Sequence, residues 1–83
     1  MENDFLLTFE LSGNKVELYV HTNLNGLRNL IEELEKLLKS AEKDENDHIH
    51  LMTEEWGGYE LSSESQGDEV LNHVKIYCWK TNK

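Results

Sequence analysis

The chain has 83 residues, a formal net charge of −9, one cysteine and no proline. This length predicts a single domain, residues 1–83, with no deep cleft between lobes. The acidic balance argues against nucleic acid and anionic membranes as partners, because phosphate contacts need lysine and arginine. One cysteine excludes an intrachain disulfide and a cysteine-rich zinc site. With no signal peptide and no membrane-length apolar run, we expect a soluble cytoplasmic protein.

The negative charge is concentrated in one third of the chain. Between Glu42 and Glu69 there are ten acidic residues against one base, Lys43, whereas the remaining residues carry seven of each. Such a concentration favours a partner with a basic surface, or simply high solubility.

The first half of the sequence predicts a β-hairpin followed by one helix. Apolar and polar residues alternate over 4–11 and again over 15–21, and Ser12-Gly13-Asn14-Lys15 between them supplies turn residues. Thr22 and Asn23 are both good helix N-caps. From Leu24 to Ala41 the apolar residues recur with helical spacing and fall within an arc of about 140°. We therefore expect a surface helix laid on one face of a sheet.

The second half predicts further strands around a structured loop. Residues 48–52 alternate, 53–58 contain the paired Gly57-Gly58, and 59–61 are compatible with a short strand. Residues 62–69 have turn composition, and 70–80 form a closing strand with an interruption at Asn72. The predicted fold class is α+β, an antiparallel or mixed sheet of four to five strands in the order β-β-α-β-(β)-β, with the helix on one face.

Strand parity divides the side chains between two sheet faces. The face covered by the helix should carry Phe5, Phe9, Val16, Val20, Ile49, Val74, Ile76 and a buried Cys78. The uncovered face should carry all four histidines and three large aromatics: His21, His48, His50, His73, Tyr19, Tyr77 and Trp79.

The sequence offers no catalytic constellation. Glu54 and Glu55 are neighbours whose side chains point apart in an extended segment, and the serines lack the context of a nucleophile. We therefore expect no enzyme activity and no cofactor. The histidine face leaves open a small metal-binding domain as an alternative, although His48 and His50 have no third ligand fixed by spacing.

Residues 44–60 instead combine the groups found at protein interfaces. Exposed aromatic rings fill pockets on a partner, and carboxylates pair with its basic groups. The candidate partner-binding residues are Asp44, Asp47, His48, His50, Glu54, Glu55, Trp56, Tyr59 and Glu60. Two alternatives stay open, since Trp56 could fold back to cap the core edge and the two glutamates could be merely solvated.

Two stretches resemble the immunity protein 32 family of bacterial polymorphic-toxin systems. They are HLMTEEWGGYEL at 50–61 and HVKIYCW at 73–79. The resemblance implies a cytoplasmic, non-enzymatic antitoxin that is made beside a toxin and binds and neutralises it. The family positions carry over onto His50, Met52, Trp56, Gly57, Gly58, Glu60, Leu61 and Trp79. They could contact the toxin or fix the fold. An adaptor subunit is a further alternative, and the free chain is expected to be a monomer or a homodimer.

Overall fold

The computed structural model describes residues 4–44 and 47–79. Its elements are β1 (Leu7–Leu11), β2 (Leu18–Thr22), α1 (Leu24–Glu42), β3 (His48–Met52), a 3-10 turn η1 (Glu54–Trp56), β4 (Glu69–Val70) and β5 (His73–Tyr77). The predicted α+β class is confirmed. The predicted loop residues Glu45 and Asn46 and the predicted strand end at Lys80 lie outside the described residues. Among the helices of the described chain, none has the length and apolar character needed to cross a membrane.

The five strands form two antiparallel sheets. One has the order β2-β1-β4 and the other pairs β3 with β5. The expected closing strand is therefore split, and its two parts serve different sheets. The split falls at the predicted interruption, where Leu71 N donates to Phe9 O at 2.8 Å and the next carbonyl, that of Asn72, accepts from Thr53 N at 3.0 Å.

The two sheets are joined through residues 61–62, at the end of the short strand predicted over 59–61. Residues 59–61 do not form a strand, but Leu61 N donates to Met52 O at 3.2 Å and Ser62 N donates to Leu7 O at 2.9 Å. The Ser62 hydroxyl also accepts from Leu7 N at 2.8 Å. These bonds place β3 alongside β1, so one helix can cover parts of both sheets.

The hairpin turn is longer than the sequence pattern suggested. Lys15, rather than Gly13 or Asn14, takes the positive φ of 63°, and Ser12 N donates to Glu17 O at 3.0 Å to close the loop. Strand β2 consequently starts at Leu18 rather than at Lys15, which places Val16 in the loop.

Helix α1 begins at the predicted cap. The side-chain oxygen of Asn23 accepts from Gly26 N at 2.8 Å and from Leu6 N at 3.1 Å, which ties the helix start to the chain entering β1. Only part of the expected apolar arc is covered. Leu37 and Ala41 are buried and Leu30 is half-buried, whereas the five other leucine and isoleucine positions of the arc are exposed: Leu24, Leu27, Ile31, Leu34 and Leu38.

The core lies under the covered flank of α1. Leu7, Phe9, Leu51 and Leu61 form its buried centre, with Phe5, Leu30, Ile49, Leu71, Val74 and Ile76 packed against it. Two expected members are wrong, because Val16 is 74% and Val20 is 45% exposed. Val20 lies on the edge strand β2 and Val16 in the loop before that strand, so neither is enclosed by the core. Cys78 is half-buried rather than fully buried.

Candidate partner-binding face

The register of β3 against β5 determines which side chains share the open face. Ile49 pairs with Ile76 and Leu51 with Val74, and these four side chains pack toward the core. The alternating pairs must point the other way. They are His48 with Tyr77, His50 with Lys75, and Met52 with His73.

Six rings follow one another across this open face. The consecutive centroid separations are 6.1 Å from Trp56 to His73, 5.1 Å to His50, 5.0 Å to His48, 5.2 Å to Tyr77 and 5.8 Å to Trp79. We call this set the ring strip: Trp56, His73, His50, His48, Tyr77 and Trp79. Because each ring contacts the next, the strip is an ordered surface assembled from β3, β5 and η1.

The two tryptophans at the ends of the ring strip are largely accessible. Trp56 is 58% and Trp79 is 54% exposed. The alternative in which Trp56 folds back to cap the core is therefore wrong. Its contact with the His73 ring orients Trp56 without burying it.

The centre of the strip contains a close histidine pair. His50 Nδ1 lies 2.9 Å from His73 Nε2, and such a hydrogen bond requires one ring to accept, so at least one ring is neutral. Loss of solvent contact, followed by the positive charges of Lys75, His48 and His73, lowers the pKa of His50 below its ordinary value. His50 is therefore suited to be the neutral partner.

The same pair bears on the metal alternative. Two imidazole nitrogens converge, but within residues 4–44 and 47–79 no group of three or more histidine, cysteine or carboxylate side chains is placed to hold a metal ion. The described side chains thus do not supply the third protein ligand that catalytic zinc sites have.

Acidic side chains lie next to ring-strip residues in the chain, beside His48 and beside Trp56. Asp47 Oδ1 lies 3.0 Å from His48 Nδ1, while exposed Glu54 and Glu55 form the first turn of η1, just before Trp56. Lys75 contributes a positive charge to this face, with its ammonium 5.1 Å from the centroid of the Tyr77 ring. Asp44, also exposed, lies just beyond α1 with a φ of 60°.

The residues after Trp56 hold the η1 loop in place. Gly57 adopts a φ of 88°, a conformation that favours glycine. A Cβ on Gly58 would lie 2.6 Å from Met52 Cβ and 2.7 Å from Met52 O. Glu60 Oε1 accepts from Met52 N at 3.1 Å and from Tyr59 N at 3.3 Å. The predicted site residue Glu60 is thus half-buried beneath the loop.

Tyr59 is separated from the predicted site residues of the ring strip and shares its surroundings with Glu60. It is 81% exposed and lines a shallow pocket with Glu32 and Lys36 of α1, together with the core residues Leu7 and Leu51. This pocket is on the helix side of the sheet, whereas the ring strip is on the opposite side. The structure therefore brings together His48, His50 and Trp56, with Asp47, Glu54 and Glu55 adjacent in the chain.

The candidate residues named from the sequence omitted half of the ring strip. His73, Tyr77 and Trp79 follow Trp56 by more than ten positions, so proximity in the chain did not connect them with the candidate residues at 44–60. Strand parity places them on the same face as His48 and His50, and the signal that was missing is the pairing of the last strand against β3.

The outer face of β1, by contrast, is covered by the chain itself. Thr8 and Glu10 are fully buried there, and the Glu10 carboxylate accepts from Gln66 N at 3.0 and 3.1 Å, from Asp68 N at 3.1 Å and from the Thr8 hydroxyl at 2.6 Å. Burial raises the pKa of this carboxyl, but the hydrogen bonds from Thr8, Gln66 and Asp68 outweigh it and leave the pKa below its ordinary value. Glu10 is therefore a structural anion.

Comparison with known proteins assigns the chain to a family. The sequence model of the family described as Immunity protein 32 matches residues 17–74, well over half of the chain. Neither the curated proteins nor the solved structures give a significant match. The matched range contains α1, β3, η1 and most of the ring strip. The chain therefore belongs to the immunity protein 32 family.

Proposed function

We propose that this protein is an antitoxin that binds a cognate bacterial toxin domain through the ring strip and the acids beside it, and thereby neutralises the toxin. The family assignment supports a partner that is a toxin. The observation that carries the choice of surface is the ring strip, six contacting rings on an open sheet face with a half-exposed tryptophan at each end.

The physical reason concerns the entropy cost of binding. Aromatic side chains provide a large contact area with few rotatable bonds, and rings already held by their neighbours lose little further freedom when a partner covers them. Tryptophan is also enriched among the residues that dominate binding energy. In this proposal Trp56 and Trp79 insert into the toxin, while His48 and His50 supply polar contacts between them.

The acidic side chains have a different role in the proposal. Glu54, Glu55 and Asp47 lie next to the strip residues, and Asp44 adds charge nearby, so a basic toxin surface would be attracted and oriented before contact. Such a surface is what a toxin that acts on phosphate-rich substrates would present. Glu60 would act indirectly by positioning the loop that carries Trp56, and Tyr59 would contact the toxin only at the periphery.

The test uses the product of the open reading frame adjacent to this one as the toxin, co-expressed with the chain and then purified as a complex. Association rates are measured at low and high salt for the wild type, for Glu55→Lys and for the matched control Glu64→Lys. Both variants change the net charge equally, and both positions are exposed. We expect Glu55→Lys to slow association several-fold at low salt, with a smaller effect at high salt.

The control decides whether local charge or total charge matters. Equal slowing by Glu64→Lys would show that net charge alone attracts the toxin, and would remove the assigned role of Glu55. An association rate that responds to neither variant nor to salt would contradict electrostatic steering as a whole.

A further inference from the structure

Helix α1 carries an apolar stripe that residues 4–44 and 47–79 leave largely uncovered. The stripe, here called the seam, consists of Leu24, Leu27, Ile31, Leu34 and Leu38, whose side chains are between 40% and 72% exposed. The residues of α1 that face the sheet are a separate set containing Gly26, Leu30, Leu37 and Ala41. The seam is therefore the flank of the apolar arc that the sheet leaves exposed.

The spacing of the seam is the spacing used between helices. Its members are three, four, three and four residues apart, which is the heptad alternation of paired helices. From Leu24 to Leu38 it extends for roughly 21 Å at 1.5 Å per residue. A partner with the same repeat could interdigitate with it along this whole length.

The seam faces away from the pocket at Tyr59. That pocket is lined by Asn29, Glu32 and Lys36, which project from the opposite flank of α1. Beyond the seam, Leu18 and Val20 of β2 share the helix side of the sheet, because they pair with Leu11 and with the buried Phe9. Both are exposed, so the apolar surface extends past the helix.

The uncovered surface is large for a free monomer. It combines the five seam residues with Leu18 and Val20, seven aliphatic side chains in total. Scattered single apolar residues are ordinary on a protein surface, but contiguous patches of more than a few hundred Å² usually mark an interface. In the sheet order β2-β1-β4, strand β2 is also an edge strand.

The charges beside the seam indicate which partner covers it. Arg28 and Glu35 border the seam on its solvent side, one heptad apart and with opposite signs. When two copies of α1 pack antiparallel around Ile31 and Leu34, Arg28 of each copy approaches Glu35 of the other, whereas a parallel pair would not bring these opposite charges together. The surface is thus complementary to itself. We infer that the chain forms a two-fold dimer in which the seams of two copies pack antiparallel.

This dimer is compatible with toxin binding but does not depend on it. The seam lies on the helix side of the sheet and the ring strip on the other side, so both ring strips stay open. A dimer would therefore present two toxin-binding faces. A toxin that is itself a dimer could occupy both faces at once and would then bind more tightly than through one face alone.

The test is the mass of the purified chain in solution, measured by sedimentation equilibrium over about a hundredfold range of concentration. One chain has a mass of 9.7 kDa, and we expect the wild type to reach twice this value. Ile31→Glu places like charges at the two-fold axis and should give a monomer. It should fold normally because Ile31 is exposed, and circular dichroism checks this.

A charge swap tests the pairing itself. Arg28→Glu alone and Glu35→Arg alone should each weaken the dimer at least several-fold, and the combination of both should restore it, because the pairs re-form with exchanged signs. Glu32→Arg, on the other flank of the helix, is the matched control and should leave the mass unchanged. No restoration in the combined variant would overturn the antiparallel arrangement.

Two other results would overturn the inference. A wild type that stays at 9.7 kDa at every concentration would exclude the dimer. If, in addition, Ile31→Glu abolished toxin binding, the seam would belong to the toxin. Failure of the dimer is distinguishable from failure of the proposed function, because the latter is measured by toxin binding to variants of the ring strip.

Discussion

The outer side of this protein has two halves that begin from the same sequence pattern. On β1 and on the pair β3 and β5, polar side chains alternate with core residues and point away from the helix. On β1 the chain returns to cover them, and Glu10 is enclosed by the amides of Gln66 and Asp68. On β3 and β5 no described segment covers them, and the rings remain accessible. The alternation of polar and apolar residues therefore determines which side chains point away from the helix. Whether those side chains are buried or exposed to a partner depends on where later residues of the chain pack.

The contrast also separates two uses of acidic residues. Glu10 is buried, accepts hydrogen bonds from three groups and holds a loop, whereas Glu54 and Glu55 are exposed beside Trp56. The first is expected to matter for folding and the others for binding. If variants of Glu10 changed only toxin binding, and variants of Glu54 and Glu55 changed only stability, the division between a covered half and an open half would be refuted.

The largest expected effect on stability comes from the covered half. Glu10→Ala would leave two backbone amides and the Thr8 hydroxyl without their acceptor, at a cost on the order of 2 to 3 kcal/mol in the free energy of unfolding. Urea denaturation measures this, with Glu64→Ala as the control at an exposed acid of the same loop. Equal stability of the two variants would mean that the loop is not held by Glu10.

The same carboxylate predicts a pH dependence. Its pKa in the folded protein is lowered from the ordinary 4.5, so its contribution is present above that value and is lost as the pH falls through the lower, folded-state pKa. The difference in unfolding free energy between wild type and Glu10→Gln should be constant near neutral pH and shrink in acid. A difference that grows on acidification would contradict this prediction, because it would mean that folding raises the pKa of Glu10 instead of lowering it.

A smaller effect is expected at the loop that connects the two halves. Gly58→Ala would force its Cβ against Met52 and the Glu60 carboxylate, and should cost about 1 to 2 kcal/mol. Gly13→Ala is the matched control, since its Cβ would meet nothing within 4 Å. Urea denaturation should show a loss for the first and almost none for the second. Equal losses would contradict close packing at Gly58 as the cause, because the backbone-entropy effect of Gly→Ala favours the folded state at both positions.

The smallest effect on stability should come from the open half. Trp56→Ala removes a side chain that is 58% exposed and contacts the His73 ring, so we expect the free energy of unfolding to change by no more than about 0.5 kcal/mol. A loss of several times that size in the free protein would show that Trp56 belongs to the core, and would remove the main candidate anchor from the open face.

The elements of the fold could be predicted because each has a local cause. The Asn23 cap, the leucine spacing of α1 and the break at Asn72 all depend on neighbouring residues. The extent of burial could not be predicted in this way. The leucine arc did not reveal that the sheet would cover only one flank of α1, and alternation did not reveal that β2 would be an edge strand with Val20 exposed.

The candidate site was predictable to a similar degree. His48, His50 and Trp56 were found because they cluster in the chain, and parity placed His73, Tyr77 and Trp79 on the same face. Their contact as one strip required the antiparallel register of β3 with β5, which is a long-range pairing. The burial of Glu10 depends on residues more than fifty positions away, so no local pattern signals it.

The most direct test of the central claim is the affinity of the toxin for Trp56→Ala, measured beside Tyr19→Ala by calorimetry on folded protein. Tyr19 is a half-exposed aromatic on β2 and lies outside the ring strip. We expect Trp56→Ala to weaken binding by about 2 kcal/mol or more, roughly thirtyfold, and Tyr19→Ala to leave it almost unchanged. An unchanged affinity for Trp56→Ala, with both variants as stable as the wild type, would contradict the assignment of the ring strip as the toxin-binding surface.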